Sequence, residues 1–153
     1  MADHFERLGL PRRFAVDLAE LERNYLTRSR EVHPDFAAGD EDAAAALNEA
    51  YSTLREPFRR AEHLLSLSGG PSASDDKTLP PTFLMVMLDL REEIESARGS
   101  PERAGKIQAD VMYRTKALET SLAKLFEAND FPAIRRELNC VRYLGNLLRD
   151  LDC

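Results

Sequence analysis

The sequence is poor in cysteine, and this shortage argues against a disulfide-rich protein and against a cysteine-based metal or redox site. Its 153 residues contain only Cys140 and Cys153, far from the CxxC spacing of zinc and redox sites. We therefore expect no disulfide framework, no metal site and no cofactor, even with His4, His33 and His63 counted as ligands. Cys140 is expected to be an ordinary helix residue and Cys153 part of a frayed terminus.

Long apolar runs are also lacking. No segment approaches the ~20 apolar residues that a membrane-spanning helix needs. The opening stretch MADHFERLGLPRRF has no apolar core and is too acidic for an export or transit peptide, so we expect a cytoplasmic protein. A net charge of −6 and a pI near 5.2 argue against nucleic acid or an anionic membrane as the main partner.

Signals for β-strands are equally scarce. The chain has only 7 glycines, its β-branched residues do not cluster, and most of it repeats apolar residues at intervals of three and four. This spacing predicts an all-α fold. Residues 66–81, SLSGGPSASDDKTLPP, break the pattern with glycine, serine, aspartate and proline. We therefore place a linker at 68–80 between two helical domains, 1–67 and 81–153.

The first half predicts a helical hairpin. Asp17 can cap a helix that Pro34 ends, and four apolar or aromatic residues share its buried face: Leu18, Leu21, Tyr25 and Val32. A second helix, which Pro57 should bend or interrupt, has the register Leu47, Ala50, Tyr51, Leu54, Phe58, Ala61 and Leu65. Two such amphipathic helices joined by a short loop pack antiparallel, and a short leading helix closes the core with Phe5, Leu8 and Leu10.

The second half predicts a small three-helix bundle. Helical spacing covers residues 82–97, 101–128 and 131–151, and Ser100 and Asp130 are good helix caps that stand close to a proline. In the last helix we expect a core stripe, with Tyr143 pointing nearly the opposite way. That stripe consists of Ile134, Leu138, Val141, Leu144, Leu148 and Leu151.

The tripeptide His33-Pro34-Asp35 stands between the two helices of the hairpin. Such a string occurs by chance in about one chain of this length in a hundred, so it is weak on its own. In the simpler interpretation, Pro34 ends one helix and Asp35 caps the next segment. In the functional interpretation, Pro34 stiffens the loop and Asp35 presents a carboxylate to an arginine of a partner.

Longer blocks carry a family resemblance. FERLGLP, the HPD tripeptide and LNEAYSTLREPFRRAEHLLSL together resemble the J domain of the HscB family, the co-chaperones of iron–sulphur cluster assembly. The likeness continues in FLMVMLDLREEIE and covers almost the whole chain. It implies a J domain followed by a helical bundle, and a protein that stimulates a DnaK/HscA-class ATPase. We expect no enzymatic activity, because the chain has no phosphate-binding glycine loop and no sign of a nucleophile beside His33 and Asp35.

The resemblance also implies which residues face the chaperone. His33, Pro34 and Asp35 would contact it, and three arginines of the preceding helix are candidates for docking: Arg23, Arg28 and Arg30. The alternative is that these arginines are solvated surface charges, since three glutamates dilute the same helix: Glu20, Glu22 and Glu31.

The helix that begins near residue 82 has apolar residues on two sides. At about 100° per residue, one side carries Phe83, Val86, Met87, Leu90 and Ile94. Leu84, Met85 and Leu88 fall on the other side, either packed against the J domain or exposed to a client protein. The resemblance implies binding of the scaffold protein IscU through Leu84, Met85, Leu88, Asp89, Glu92 and Tyr143.

A different client remains an alternative at this stage. Phe36 follows Asp35 where a basic residue is usual, and the stretch from Asp35 to Asn48 is short for the family, by roughly two helical turns. These departures allow a J protein or adaptor for another client, with weakened ATPase stimulation. The extra cysteine pairs of eukaryotic members are absent, so we expect the bacterial type, and we expect a monomer.

Overall fold

The computed structural model describes residues 2–32 and 41–151, and these ranges contain helices and no strand. The prediction of an all-α fold is confirmed. The helices are α1 (His4–Arg7), α2 (Leu18–Val32), α3 (Glu41–Arg55), α4 (Pro57–Leu67), α5 (Pro81–Ser96), α6 (Pro101–Glu127) and α7 (Phe131–Leu151). Contacts divide the chain into two units, Met1–Leu67 and Ser68–Cys153. Among the described helices, none is long and apolar enough to span a membrane.

Helix α2 begins where the cap was predicted. The Asp17 carboxylate accepts hydrogen bonds from the backbone N–H groups of Ala19 and Glu20, at 3.0 and 3.2 Å. Leu21 is buried, but Leu18 exposes 53% of its surface, so its predicted place in the core is wrong. Because Leu18 lies about 60° from Leu21 around the helix, it falls at the edge of the buried stripe.

Helices α2 and α3 form the antiparallel hairpin. Tyr25, about two turns before the end of α2, stacks on Tyr51 with ring centroids 4.2 Å apart. Its hydroxyl also donates to Asn48, about two turns after the start of α3. Pro57 interrupts the second helix as predicted, since α3 ends at Arg55 and α4 begins at the proline itself.

The short helix α1 closes the core of the first unit. Phe5 and Leu8 are completely buried, and the Asn24 side-chain amide donates to the Leu8 carbonyl oxygen at 2.7 Å. At its other end, the backbone N–H of His4 donates to Nε2 of His63 at 3.3 Å, which attaches α1 to α4. Gly9 has a φ of 65°, a left-handed conformation that lets the chain turn sharply after α1.

The second unit is a three-helix bundle in which an apolar core joins all three helices. Met87, Leu90, Ile94, Ala97, Ile107, Val111, Leu144 and Leu147 form this core. The predicted caps are confirmed: Ser100 accepts from the N–H of Arg103 at 3.4 Å, and Asp130 from the N–H of Ala133 at 3.2 Å. Leu147 is buried where Leu148 was expected, and Leu148 packs at the core's edge.

A buried polar pair of α7 holds the segment before α5. Arg135 is fully buried, and it donates from Nε to the side chain of Asn139 at 3.1 Å and from Nη1 to the Pro71 carbonyl oxygen at 3.5 Å. Asn139 in turn donates to the carbonyl oxygens of Asp76 and Thr78, at 3.0 Å each. Residues 71–78 therefore cover a polar side of α7 that the predicted single stripe did not include.

Of the two cysteines, only Cys140 is among the described residues, and it is the helix residue that was expected. Cys140 is buried in α7, and burial raises the pKa of its thiol to about 12. A thiol that stays protonated is a poor nucleophile and a poor metal ligand, so Cys140 acts as a small core residue. Cys153 lies outside the described residues.

Prediction: Arg135→Ala will lower the free energy of unfolding by about 3 kcal/mol, because it leaves Asn139 and the Pro71 carbonyl without a buried donor. Chemical denaturation followed by circular dichroism measures this change. Arg136→Ala, at the exposed neighbouring position, is the matched control and should stay within about 0.5 kcal/mol of the parent. Equal effects of the two substitutions would contradict the role given to Arg135.

Candidate functional site

The predicted chaperone contacts fall partly outside the described residues. His33, Pro34 and Asp35 lie there, as does Phe36, whereas α2 is described to its last residue, Val32. Their assignment stays a prediction. The exposed residues of α2, which precede them in the chain, are described.

The three arginines of α2 differ in what they do. Arg23 and Arg30 are exposed. Arg28 is half-buried, and its Nη1 atom donates to the carbonyl oxygens of Glu6, at 3.1 Å, and Arg7. These carbonyls belong to the last turn of α1, where backbone acceptors lack partners within the helix, and the Glu6 oxygen also accepts from the Gly9 N–H of the following turn at 3.2 Å. Arg28 therefore fastens α1 to α2, and Arg23 and Arg30 are the better candidates for contact with a partner.

An exposed leucine stands between these two arginines. Leu26 exposes 50% of its surface, and it is three residues after Arg23 and four before Arg30. This spacing puts the three side chains on one face of the helix. The sequence pattern did not predict Leu26, because that pattern marks the apolar residues on the buried face of α2. Leu26 could have been found as an apolar residue that lies outside this buried face.

Helix α5 has two apolar sides, as its spacing predicts. Met87, Leu90 and Ile94 are buried in the bundle core. On the other side Leu84, Met85 and Leu88 expose 40%, 68% and 61% of their surfaces. Asp89 and Glu92 are exposed on the same helix. We call the five residues Leu84, Met85, Leu88, Asp89 and Glu92 the α5 surface.

Tyr143 is placed differently from the expectation. It is half-buried at the edge of the core, so the prediction that it points nearly opposite to the core is wrong. Its ring meets that of Phe83 edge to face, with centroids 6.0 Å apart, and the Arg91 guanidinium lies 5.1 Å from its centroid. Both contacts come from α5. The packing of α7 against α5 thus brings Tyr143 to the helix that carries the α5 surface.

The described residues hold no metal centre. No three histidine, cysteine, aspartate or glutamate side chains within residues 2–32 and 41–151 come close enough together to bind an ion. The rings of His4 and His63 lie with their centroids 4.2 Å apart and their planes tilted by 33°, and burial lowers the pKa of both imidazoles. The role of this pair is to attach α1.

Comparisons with known proteins cover both units. Residues 3–63 match the model of the DnaJ domain, and residues 79–152 match that of the HSCB C-terminal oligomerisation domain. The co-chaperone protein HscB of Proteus mirabilis is 32% identical over 163 residues, spanning 98% of this chain and 94% of the relative. The Vibrio cholerae homologue is 42% identical over 166 residues, spanning 98% and 95%. This chain belongs to the HscB family.

Solved structures of HscB proteins have the same fold. The crystal structure of human HscB superposes with a TM-score of 0.86 at 27% identity, and it covers 99% of this chain and 81% of the human one. HscB from Vibrio cholerae gives a TM-score of 0.80 at 28% identity, with 99% and 96% covered. The expected J domain and C-terminal bundle are confirmed. As an HscB protein, the chain is a co-chaperone of iron–sulphur cluster assembly, whose partners are a DnaK-class chaperone and a scaffold.

Prediction: Arg28→Ala will lower the free energy of unfolding by about 1–3 kcal/mol, because the Arg7 carbonyl oxygen loses a donor and the Glu6 carbonyl oxygen keeps only its bond from the Gly9 N–H. Arg23→Ala, on the exposed face of the same helix, should change it by less than about 0.5 kcal/mol. Urea denaturation of the two variants gives both values. A stability loss of the same size in Arg23→Ala would contradict this division of roles.

Proposed function

We propose that this HscB protein stimulates ATP hydrolysis by a DnaK- or HscA-class chaperone and delivers an IscU-type scaffold to it. The observation that carries the proposal is the large exposed apolar area of α5, in a chain whose other half matches the DnaJ domain. The protein acts as a cytoplasmic monomer of the bacterial type. It performs no chemistry of its own, and phosphoryl transfer belongs to the chaperone.

The chaperone arm uses the first unit. Arg23, Leu26 and Arg30 give α2 an exposed face with two positive charges around one apolar side chain, and one negative charge, Glu22, lies four residues before Leu26. Such a face suits an acidic partner surface, and its charges speed the encounter more than they tighten the complex. His33, Pro34 and Asp35 follow directly after this helix. Stimulation requires that the co-chaperone bind the hydrolysis-competent conformer of the chaperone more tightly than the other conformers.

The scaffold arm uses the α5 surface. Three large apolar side chains exposed on one helix favour a partner that removes them from water, at roughly 25 cal/mol per Å² of apolar area buried. The carboxylates of Asp89 and Glu92 add a polar rim, which is the usual arrangement around an apolar interface core. Tyr143 contacts Phe83, the residue that precedes Leu84 in α5, and so helps to hold the helix that carries this surface.

Prediction: His33→Gln will abolish stimulation of the chaperone's ATPase while leaving the fold and scaffold binding intact. Steady-state ATP hydrolysis by the purified chaperone measures the first effect, and circular dichroism and scaffold titration measure the others. Stimulation at the parent level would rule out the proposed mechanism. A parent protein that binds scaffold without stimulating the ATPase would instead support the adaptor alternative.

Prediction: Leu84→Ala combined with Leu88→Ala will weaken scaffold binding by about 1–3 kcal/mol, since apolar interface anchors are lost. Isothermal titration calorimetry with purified IscU-type scaffold gives the affinity. Met112→Ala, at an exposed position of α6 in the same unit, is the control and should bind as the parent does. An unchanged affinity in the folded double variant would contradict the assignment of the α5 surface.

A further inference from the structure

Two histidines meet between α1 and α4. The rings of His4 and His63 lie with their centroids 4.2 Å apart, and the ring of Phe5 lies 5.8 Å from that of His63. The whole chain has 3 histidines, and histidine is the side chain whose charge ordinarily changes near pH 6.5. The place where α1 is attached to α4 therefore contains two groups that can gain a proton in mildly acidic solution.

The hydrogen bond between the two residues requires a neutral His63. The backbone N–H of His4 donates to Nε2 of His63 at 3.3 Å. An imidazole nitrogen accepts only while it carries no proton, and both nitrogens of an imidazolium are donors. A proton added to neutral His63 goes to Nε2, so it replaces the acceptor by a donor that faces the N–H of His4. Protonation of His63 therefore breaks this hydrogen bond.

A charge on His4 is unfavourable as well. Its Nδ1 atom is buried and has no hydrogen-bond partner among the described residues, so a proton on that atom lacks an acceptor. Because the two rings are neighbours, a charge on one also opposes a charge on the other. Burial lowers the pKa of both imidazoles, and repulsion from His4 lowers that of His63 further.

The charged side chains that act on the pair come from every neighbouring element. They are Asp3 and Arg12 at the two ends of the α1 region, Arg7 of α1, Glu49 of α3 and Arg59 of α4. The two carboxylates favour protonation, and the three arginines oppose it. Each carboxylate also has a cation beside it, since Asp3 pairs with Arg12, and Glu49 lies 3.2 Å from Arg59. Burial therefore outweighs them, and both rings favour the neutral form.

The attachments of α1 to α2 do not involve histidine. The Asn24 amide donates to the carbonyl oxygen of Leu8, and the Arg28 guanidinium donates to those of Glu6 and Arg7. Both donors keep their hydrogens in mildly acidic solution. A fall in pH therefore acts on the α4 side of α1, next to Phe5, which is completely buried.

We propose that His4 and His63 form a pH-sensitive attachment, which holds α1 on α4 while both rings are neutral and opens when either ring gains a proton. In the open form both rings meet water and titrate near pH 6.5. Because the closed form has the lower pKa values, the attachment has its full strength above about pH 6.5 and loses strength as the pH falls. This inference concerns the first unit alone and does not depend on the proposed partners.

The first test follows α1 by amide hydrogen exchange of the full chain at about pH 7.5 and about pH 5.5. The N–H groups of Arg7, Leu8 and Leu10 report on α1, because they donate to carbonyl oxygens of Asp3 and Phe5. Protection is expressed relative to an unprotected chain at the same pH. It should fall several-fold at the lower pH, by up to about tenfold for each histidine. Unchanged protection would overturn the proposal.

The second test removes both titrating rings. His4→Gln combined with His63→Gln keeps an acceptor at position 63, because a glutamine side chain carries a carbonyl oxygen that does not titrate. Protection of α1 in this variant should change by less than about twofold over the same pH range. His33→Gln removes the remaining histidine and is the matched control, which should keep the loss seen in the parent. A double variant that keeps that loss would contradict the proposal.

A third test needs no change to the pair. Nuclear magnetic resonance of the parent chain follows the Cε1–H signals of the histidine rings during a pH titration. The signal of His63 should have its midpoint below about pH 6.5, because its protonation breaks the hydrogen bond from His4. A midpoint at or above that value would overturn the proposal, even if the double variant does not fold.

Discussion

The buried pair of Arg135 and Asn139 determines what the second unit shows to solvent. An unpaired buried guanidinium is costly, so this one needs carbonyl and amide acceptors, and it finds them in Asn139 and in the segment before α5. That requirement holds residues 71–78 on α7. It also covers one side of the helix and bounds a groove that Lys77, Arg142 and Tyr143 line. Tyr143 thereby lies between the segment and α5.

In the first unit, Arg28 likewise donates to backbone carbonyl oxygens. Its planar guanidinium donates to carbonyl oxygens at the end of α1, a use for which the arginine fork is well suited. One cation of α2 is thereby assigned to the fold, while Arg23 and Arg30 stay at the surface with Leu26 between them. In both units an inward-turned arginine holds a short segment against a longer helix.

Features that depend on local hydrogen bonds or on one packing partner could be predicted from the sequence. Residues that contact several elements could not. Helix limits and caps at Asp17, Ser100 and Asp130 followed from local hydrogen bonding, and the two sides of α5 followed from its period. Tyr143 and Leu148 were misplaced because α7 is surrounded by α5, α6 and the segment 71–78, whereas a single stripe assumes one partner. Arg28 was predicted as a binding residue because nothing local signals its bonds to α1.

The sequence by itself determined the all-α class, the two helical halves, the family resemblance and the second apolar side of α5. These depend on spacing and on contiguous motifs, which a single chain displays without any knowledge of its packing. Only the tertiary structure decided that Arg28 serves the fold, that Tyr143 leans on Phe83, and that Lys77 and Arg142 share a groove. Each of these joins residues distant in the chain, and a long side chain reveals its partner only when the packing has brought that partner within hydrogen-bonding or van der Waals distance.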